Sequence, residues 1–292
     1  MHEMIGPRTL WAMETSALAQ LLAQHSLDAV VPQGLRALAA LASGSAAAPP
    51  KQPDPIKEGS TFIMAINGPL SPMGSWSGTS TNWIARTVRE AAADPKIGAI
   101  IMKIYSPGGL VIGTAEAGDA IFEARQSKPV IAVADSYAFS ASHWLATQAS
   151  AFYATTSGEV GSVGVRGGHV DMSGFEDKIG MKTTLIASSP EKIAGHPYAP
   201  LSDEDRAEMQ AEIDEMNLAF LAAIARGRGM KAGEVAAVHG QGRTFSATRA
   251  AAAGVIDGVM TLRDVVAKYA QPSARLKLMR ARAELQNLTI EI

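Results

Sequence analysis

Beyond residue 60 the chain alternates between short apolar runs and longer stretches whose apolar positions recur every three to four residues. The runs at 61–66, 98–104, 130–133 and 151–154 are continuous rather than alternating, with Lys103 the one charge inside them, which is the pattern of strands buried on both faces. A further short strand is expected at 163–165. Between the runs, 82–93, 114–126 and 139–149 carry helical spacing. In the first of these helices Trp83, Ile84 and Val88 share one face, and residues 79–81 offer a cap. Strands alternating with helices predict an α/β fold: a mostly parallel sheet flanked by helices.

Downstream, 203–226 reads as a long helix with Met209, Ile213, Met216, Phe220 and Ile224 on one face. Ser202 and Asp205 give it a start resembling a capping box, and Gly227 and Gly229 supply its end. Shorter helices at 232–238 and 247–253 are expected to close the domain near residue 270. The flanks differ in kind. Residues 1–42 carry the spacing of one amphipathic helix at 16–25. Residues 43–58 are small, polar and proline-rich, the composition of a linker. Residues 271–292 form a basic, amphipathic helical tail suited to binding a partner. The expected organisation is therefore 1–42, 43–58, a main domain at 59–270, and the tail.

Composition narrows the function. Of 292 residues, 47% are hydrophobic and 18% charged, enough apolar material for a sizeable core. A net charge of −2 leaves no basic footprint for nucleic acid or an anionic membrane. With no cysteine, disulfides and thiolate catalysis are excluded. The six histidines are scattered, and neither H-E-x-x-H nor G-x-x-x-x-G-K occurs, so no metal or nucleotide cofactor is expected. No apolar run reaches the ~18 residues needed to span a bilayer, and no leader pattern opens the chain. A cytoplasmic protein is the expectation.

The chemistry gathers around Ser140 in A-F-S-A-S-H-W, where an apolar strand gives way to a helix. A serine hydroxyl is a weak nucleophile until a base takes its proton, and the N–H groups at a helix start stabilise negative charge. Upstream, Ser106-Pro107-Gly108-Gly109 follows another strand, and its glycines can aim an N–H outward. Downstream stands Gly161-Ser162-Val163-Gly164-Val165. Taken singly, each has a plainer explanation: a small residue packed at a crossing, a strand-ending turn, a turn serine between glycines.

In this order and spacing, S-P-G-G, A-F-S-A and G-S-V-G-V resemble the signal peptide peptidase A family of serine peptidases, whose members share the ClpP/crotonase-type fold. The later segments S-S-P-E-K-I-A-G-H-P-Y-A-P-L-S-D-E-D-R and G-R-T-F-S-A-T-R-A-A-A-A-G-V-I-D-G are similar to the family's lysine-bearing loop and closing motif. The resemblance covers roughly residues 60–265. The N-terminal T-L-W-A-M-E-T-S-A-L looks more like the phage and prophage branch, which cleaves head scaffold during capsid maturation. The resemblance implies Ser140 as nucleophile, Lys192 as general base and Ser162 as the residue orienting its amine. It also implies an oxyanion hole from Gly108, Gly109 and Ala141, substrate contacts at Pro107 and Leu110, a protein substrate and a homo-oligomer. In some relatives the lysine reaches the serine of a neighbouring subunit.

A lysine ammonium ordinarily loses its proton near pH 10.4, so such a base must be desolvated, and Ile186, Ala187 and Ile193 are the apolar neighbours expected to do this. One departure stands out: Ala141 and Ser142 follow the nucleophile where membrane-bound relatives carry glycine. The rival bases are His143, three residues along the same helix, and His169 with Asp171. Other readings are a host peptidase of the same family, a crotonase-like acyl-CoA hydratase or hydrolase, and a non-catalytic capsid-assembly component.

Overall fold

The computed structural model describes residues 52–75 and 78–270, with the backbone of residues 11–13. The helix expected at 16–25 and the tail at 271–292 lie outside the described residues. The chain opens with strands β1 (Trp11–Met13), β2 (Ile56–Glu58), β3 (Thr61–Asn67), β4 (Leu70–Ser71) and β5 (Thr79–Ser80), then helix α1 (Thr81–Ala93). Next come β6 (Ala99–Ser106), β7 (Gly108–Leu110), α2 (Thr114–Ala124), β8 (Val130–Phe139), α3 (Ala141–Thr147), β9 (Ala151–Ala154) and β10 (Glu159–Gly161). The remainder is α4 (Ser173–Ile179), a 3-10 turn (Pro190–Lys192), α5 (Asp203–Arg228), α6 (Ala232–His239), β11 (Thr244–Ser246), α7 (Ala247–Ala252), β12 (Gly258–Val259) and α8 (Leu262–Tyr269).

The main sheet runs β11-β10-β8-β6-β3-β2, with β9 beside β8 and β12 beside β9. Its interior pairs are parallel, and only the edge strands β2 and β11 are antiparallel. One edge of β8 serves two partners: 131–134 pair with β9, and 137–139 pair with β10. Strand residues alternate between two cores. Met64, Ile66, Ile100, Met102 and Ala132 point toward α1, α2 and α3, whereas Ile63, Ile101, Ile131 and Val133 pack with Val265 of α8. Helices therefore cover both faces, which is why the strand runs are unbroken. This is the α/β architecture the periodicity predicts, with a mostly parallel sheet between helices.

The caps act as expected. Ser80 accepts a hydrogen bond from the N–H of Trp83 at the start of α1, and Ser202 does the same for Asp205 at the start of α5. On the long helix the expected face is the packed one, with Met209, Phe220 and Ile224 buried. Trp144 of α3 stacks on Phe220 with ring centroids 4.7 Å apart.

Several details depart from the sequence reading. Residues 56–58, inside the stretch read as linker, extend the sheet as β2. The strand expected at 163–165 lies earlier, at β10, because positive φ angles at Gly161, Ser162 and Gly164 break regular pairing there. Strand β8 runs on to Phe139, so its helix begins at Ala141. Helix α5 passes through Gly227 and ends at Gly229. Gly227 is there for contact, since a Cβ on it would stand 2.2 Å from the Thr147 carbonyl oxygen of α3. A second, four-stranded sheet, β1-β7-β4-β5, has no counterpart in the apolar pattern.

Candidate active site

Ser140 sits between the end of β8 and the first turn of α3, with φ +52° and ψ −117°. Among the described residues only Ser136, Ser140 and Ser162 combine a side chain with positive φ. Holding a residue in so sparsely populated a region costs about 1–3 kcal/mol and needs a surrounding that enforces it. Here the Ser140 N–H donates to the Gly161 carbonyl at 2.8 Å, and the Ser140 carbonyl accepts from Trp144 at 2.9 Å. The Ser140 hydroxyl lies 3.5 Å from the Gly164 carbonyl oxygen, a long contact that leaves it loosely held. Ser162, one residue beyond Gly161, is fixed by its own N–H to the Arg243 carbonyl at 2.7 Å. At Gly161 only glycine serves: φ is +117°, and a Cβ would lie 2.5 Å from that same Arg243 oxygen. The chain thus brings the A-F-S-A and G-S-V-G-V motifs together through backbone bonds.

The S-P-G-G motif joins them through two serines. Where β6 meets β8 the register slips, so that Ser106 faces Ala138 while Ile104 faces Ala134. Tyr105 then stands against three residues of β8, and the bulge carries the strained Ser136 (φ +100°). The Ser142 hydroxyl lies 2.9 Å from the Ser106 carbonyl and 2.8 Å from that of Phe139, tying the first turn of α3 to the strand before the glycines. The Ser106 hydroxyl donates to the Gly68 carbonyl at 2.7 Å and accepts the Gly108 N–H at 3.2 Å. Gly109 is required by contact, since a Cβ there would meet the Leu70 carbonyl oxygen at 2.0 Å. Pro107, Leu110 and Ala141 are buried. As the first residue of α3, Ala141 has no acceptor for its N–H within the helix. Ser106 and Ser142 join the motifs through their hydroxyls, and the sequence reading gave neither a part of its own. Ser142 stands out in sequence only as an extra hydroxyl beside Ser140.

Lys192 is placed quite differently. It ends the 3-10 turn with its side chain exposed, and among the described residues its amine makes no hydrogen bond or ion pair. Among the described residues the apolar pocket expected around it is not formed: Ile186 is 94% exposed. Phe175, Ile179 and Met181, on and just beyond α4, are exposed as well. An open cavity of about 600 Å³ lies beside the turn, lined by Pro190, Ile193, His196 and Asp205 among others.

Neither rival histidine is bonded to Ser140. His143 points to α6, its Nε2 3.0 Å from His239 Nδ1, and both rings are fully buried. Burial pushes His143 well below the ordinary histidine range, with His239 and Arg228 adding to it. Burial, then Arg228, brings His239 down to about 4. His169 Nε2 contacts the His196 carbonyl at 3.0 Å, and Asp171 is occupied by the N–H and hydroxyl of Ser173. Among the described residues, no cluster of three or more acidic, histidine or cysteine side chains gathers to hold a metal, and no helix is long and apolar enough to cross a membrane.

The site is thus a strained, buried serine at the start of a helix, tied to two glycine-rich turns. Residues 123–277, which include Ser140, Ser162 and Lys192, match the sequence profile of Peptidase family S49, and the chain belongs to that family. Capsid assembly protease C of Escherichia phage lambda is 30% identical over 188 residues, 64% of this chain and 42% of that protein. Head-tail preconnector protein GP5 of Enterobacteria phage P21 is 30% identical over 213 residues, 72% of this chain and 41% of that protein. The chain thus spans about two fifths of the length of these two relatives. A solved enoyl-CoA hydratase from Polaromonas sp. JS666 is similar over 76% of each chain, with 16% identity and a TM-score of 0.44.

Proposed function

We propose that this protein is a serine endopeptidase of phage head maturation, cleaving scaffold or capsid protein through an acyl-enzyme. The observation that carries the reading is Ser140: a buried serine in a strained conformation at a helix start, bonded through its backbone to the G-S-V-G-V turn. Ser140 Oγ attacks the scissile carbonyl carbon while its proton passes to the Lys192 amine. The resulting oxyanion is held by the Ala141 N–H and by the Gly108–Gly109 turn, where the Gly108 N–H must turn from the Ser106 hydroxyl to contribute. Losing one such donor typically lowers the rate ~100- to 1,000-fold. The tetrahedral intermediate collapses, the C–N bond breaks, and the leaving amine takes the proton from Lys192. Water then attacks the ester, giving its proton to Lys192, and Ser140 leaves with that proton restored. Ser162 orients the amine, and Pro107 with Leu110 lines the path of the substrate. The reaction calls on no cofactor.

Within one chain the base stands in solvent while the nucleophile is buried, and apolar side chains of α4 and of the loop beyond it face outward near the lysine turn. These features support a homo-oligomer in which Lys192 of one copy enters the Ser140 site of the next, becoming desolvated on assembly. The proposed setting is the host cytoplasm and the assembling prohead. The test is cleavage of a purified phage scaffold protein. Wild type should cut it, and Ser140→Ala and Lys192→Ala should each abolish cutting. Undiminished cleavage by either variant overturns the dyad.

A further inference from the structure

Strand β7 follows directly on Ser106-Pro107 and has two edges. One is paired in parallel with β4 through Leu70 and Gly109. The other is taken by the chain's own beginning. Trp11 pairs with Leu110, Ala12 with Gly109 and Met13 with Gly108, all antiparallel. The Ser142–Ser106 contact ties the residue two before this strand to the helix that Ser140 begins, which links β7 to the Ser140 corner.

The edge is suited to polypeptide rather than to a particular side chain. Two of its three residues are glycine, so it offers mainly backbone N–H and C=O groups, the means by which a sheet edge captures an extended peptide. Among the described residues, three residue pairs hold its present occupant. In sequence, β1 and β2 are separated by residues 14–55.

We infer that the outer edge of β7 is a strand-addition surface for extended polypeptide, and that Trp11–Met13 of the same chain is its resident occupant, displaced when substrate binds. Competition with substrate rests on the peptidase reading of Ser140; the pairing itself does not. An occupied edge lowers apparent affinity in proportion to the fraction of molecules in which it is free.

The test uses the full chain with Ala12→Pro and Met13→Pro together, since proline lacks an N–H and cannot sit inside a ladder. Met13→Pro alone serves as a milder second variant, and circular dichroism checks that both fold. The probe is a fluorescein-labelled peptide of the sequence GPRTLWAMETSAL, followed by anisotropy, alongside KM and kcat for an added protein substrate. The variants should bind the peptide about tenfold more tightly than wild type, with KM lowered about tenfold and kcat unchanged. Equal peptide binding by variants and wild type overturns the inference. So does tighter binding with no change in KM. If no form of the protein cleaves any substrate, the serine reading fails, and the peptide-binding comparison alone decides whether the edge is occupied.

Discussion

The corner around Ser140 and the turn that ends in Lys192 are built on opposite terms. At the corner, three glycine- and serine-rich segments far apart in sequence are locked by backbone hydrogen bonds and two buried hydroxyls, and Ser140 is 1% exposed. At the turn, the side chain is free in solvent and its apolar neighbours are uncovered. A nucleophile and its oxyanion donors must be fixed to a fraction of an ångström before reaction, so they belong on rigid elements. A lysine needs the reverse, because it stays protonated until something removes water from it. Under the proposed dyad, the contrast means that one half of the site is ready-made in the single chain and the other half is left to assembly.

The sharpest way to break this comparison is to remove either half. Ser140→Ala and Lys192→Ala should each cost about 10,000-fold or more in kcat, as members of one catalytic unit do. They should differ in stability, since Lys192→Ala removes only an exposed side chain and should leave the melting temperature of the single chain unchanged. A drop of several degrees would mean that the lysine turn is packed after all.

The next effect concerns what holds the corner rigid. The His143–His239 bond needs one ring as acceptor, so it cannot survive protonation of both, and burial opposes the uptake of even one proton. For His239, a descent from 6.5 to about 4 corresponds to roughly 3 kcal/mol. The folded state binds the proton less readily than the unfolded chain. This contribution is therefore complete above about pH 6.5 and is lost as pH falls toward 4, with His143 acting in the same direction. Urea unfolding at pH 7 and pH 4.5 should show that loss, and His239→Gln should flatten it. An unaltered pH slope in the variant would place the acid sensitivity elsewhere.

Smaller still is the tie between the motifs. Ser142→Ala leaves two carbonyls without their shared hydroxyl and should cost about 1–3 kcal/mol. If the tie aligns the oxyanion strand, kcat should fall while KM holds; a change in KM alone would make Ser142 merely structural. Smallest is Ser140→Gly, which relieves the positive φ and should raise stability by about 1 kcal/mol in an inactive protein. No gain would mean the corner holds no strain.

The main sheet was legible because its strands are buried on both faces, so runs such as 98–104 and 130–133 announce themselves without any long-range information. Ser140 was legible by its position at a strand-to-helix junction. The second sheet was not, because β4, β5 and β7 have two or three residues each, and what defines them is contact: Leu70 against the bare backbone of Gly109. Ser142 read as an oddity beside the nucleophile because its acceptor, Ser106, lies 36 residues away in sequence. Lys192 came from resemblance alone. Nothing local marks it, and within the single chain its surroundings remain those of an ordinary surface lysine.

The most direct measurement of the central claim is complementation between the two inactive variants. Ser140→Ala and Lys192→Ala chains, co-expressed with separate tags and purified as mixed assemblies, should recover a substantial part of wild-type cleavage, because some interfaces unite an intact serine with an intact lysine from the neighbouring copy. Mixed assemblies that form and remain as inactive as either variant alone would contradict the account.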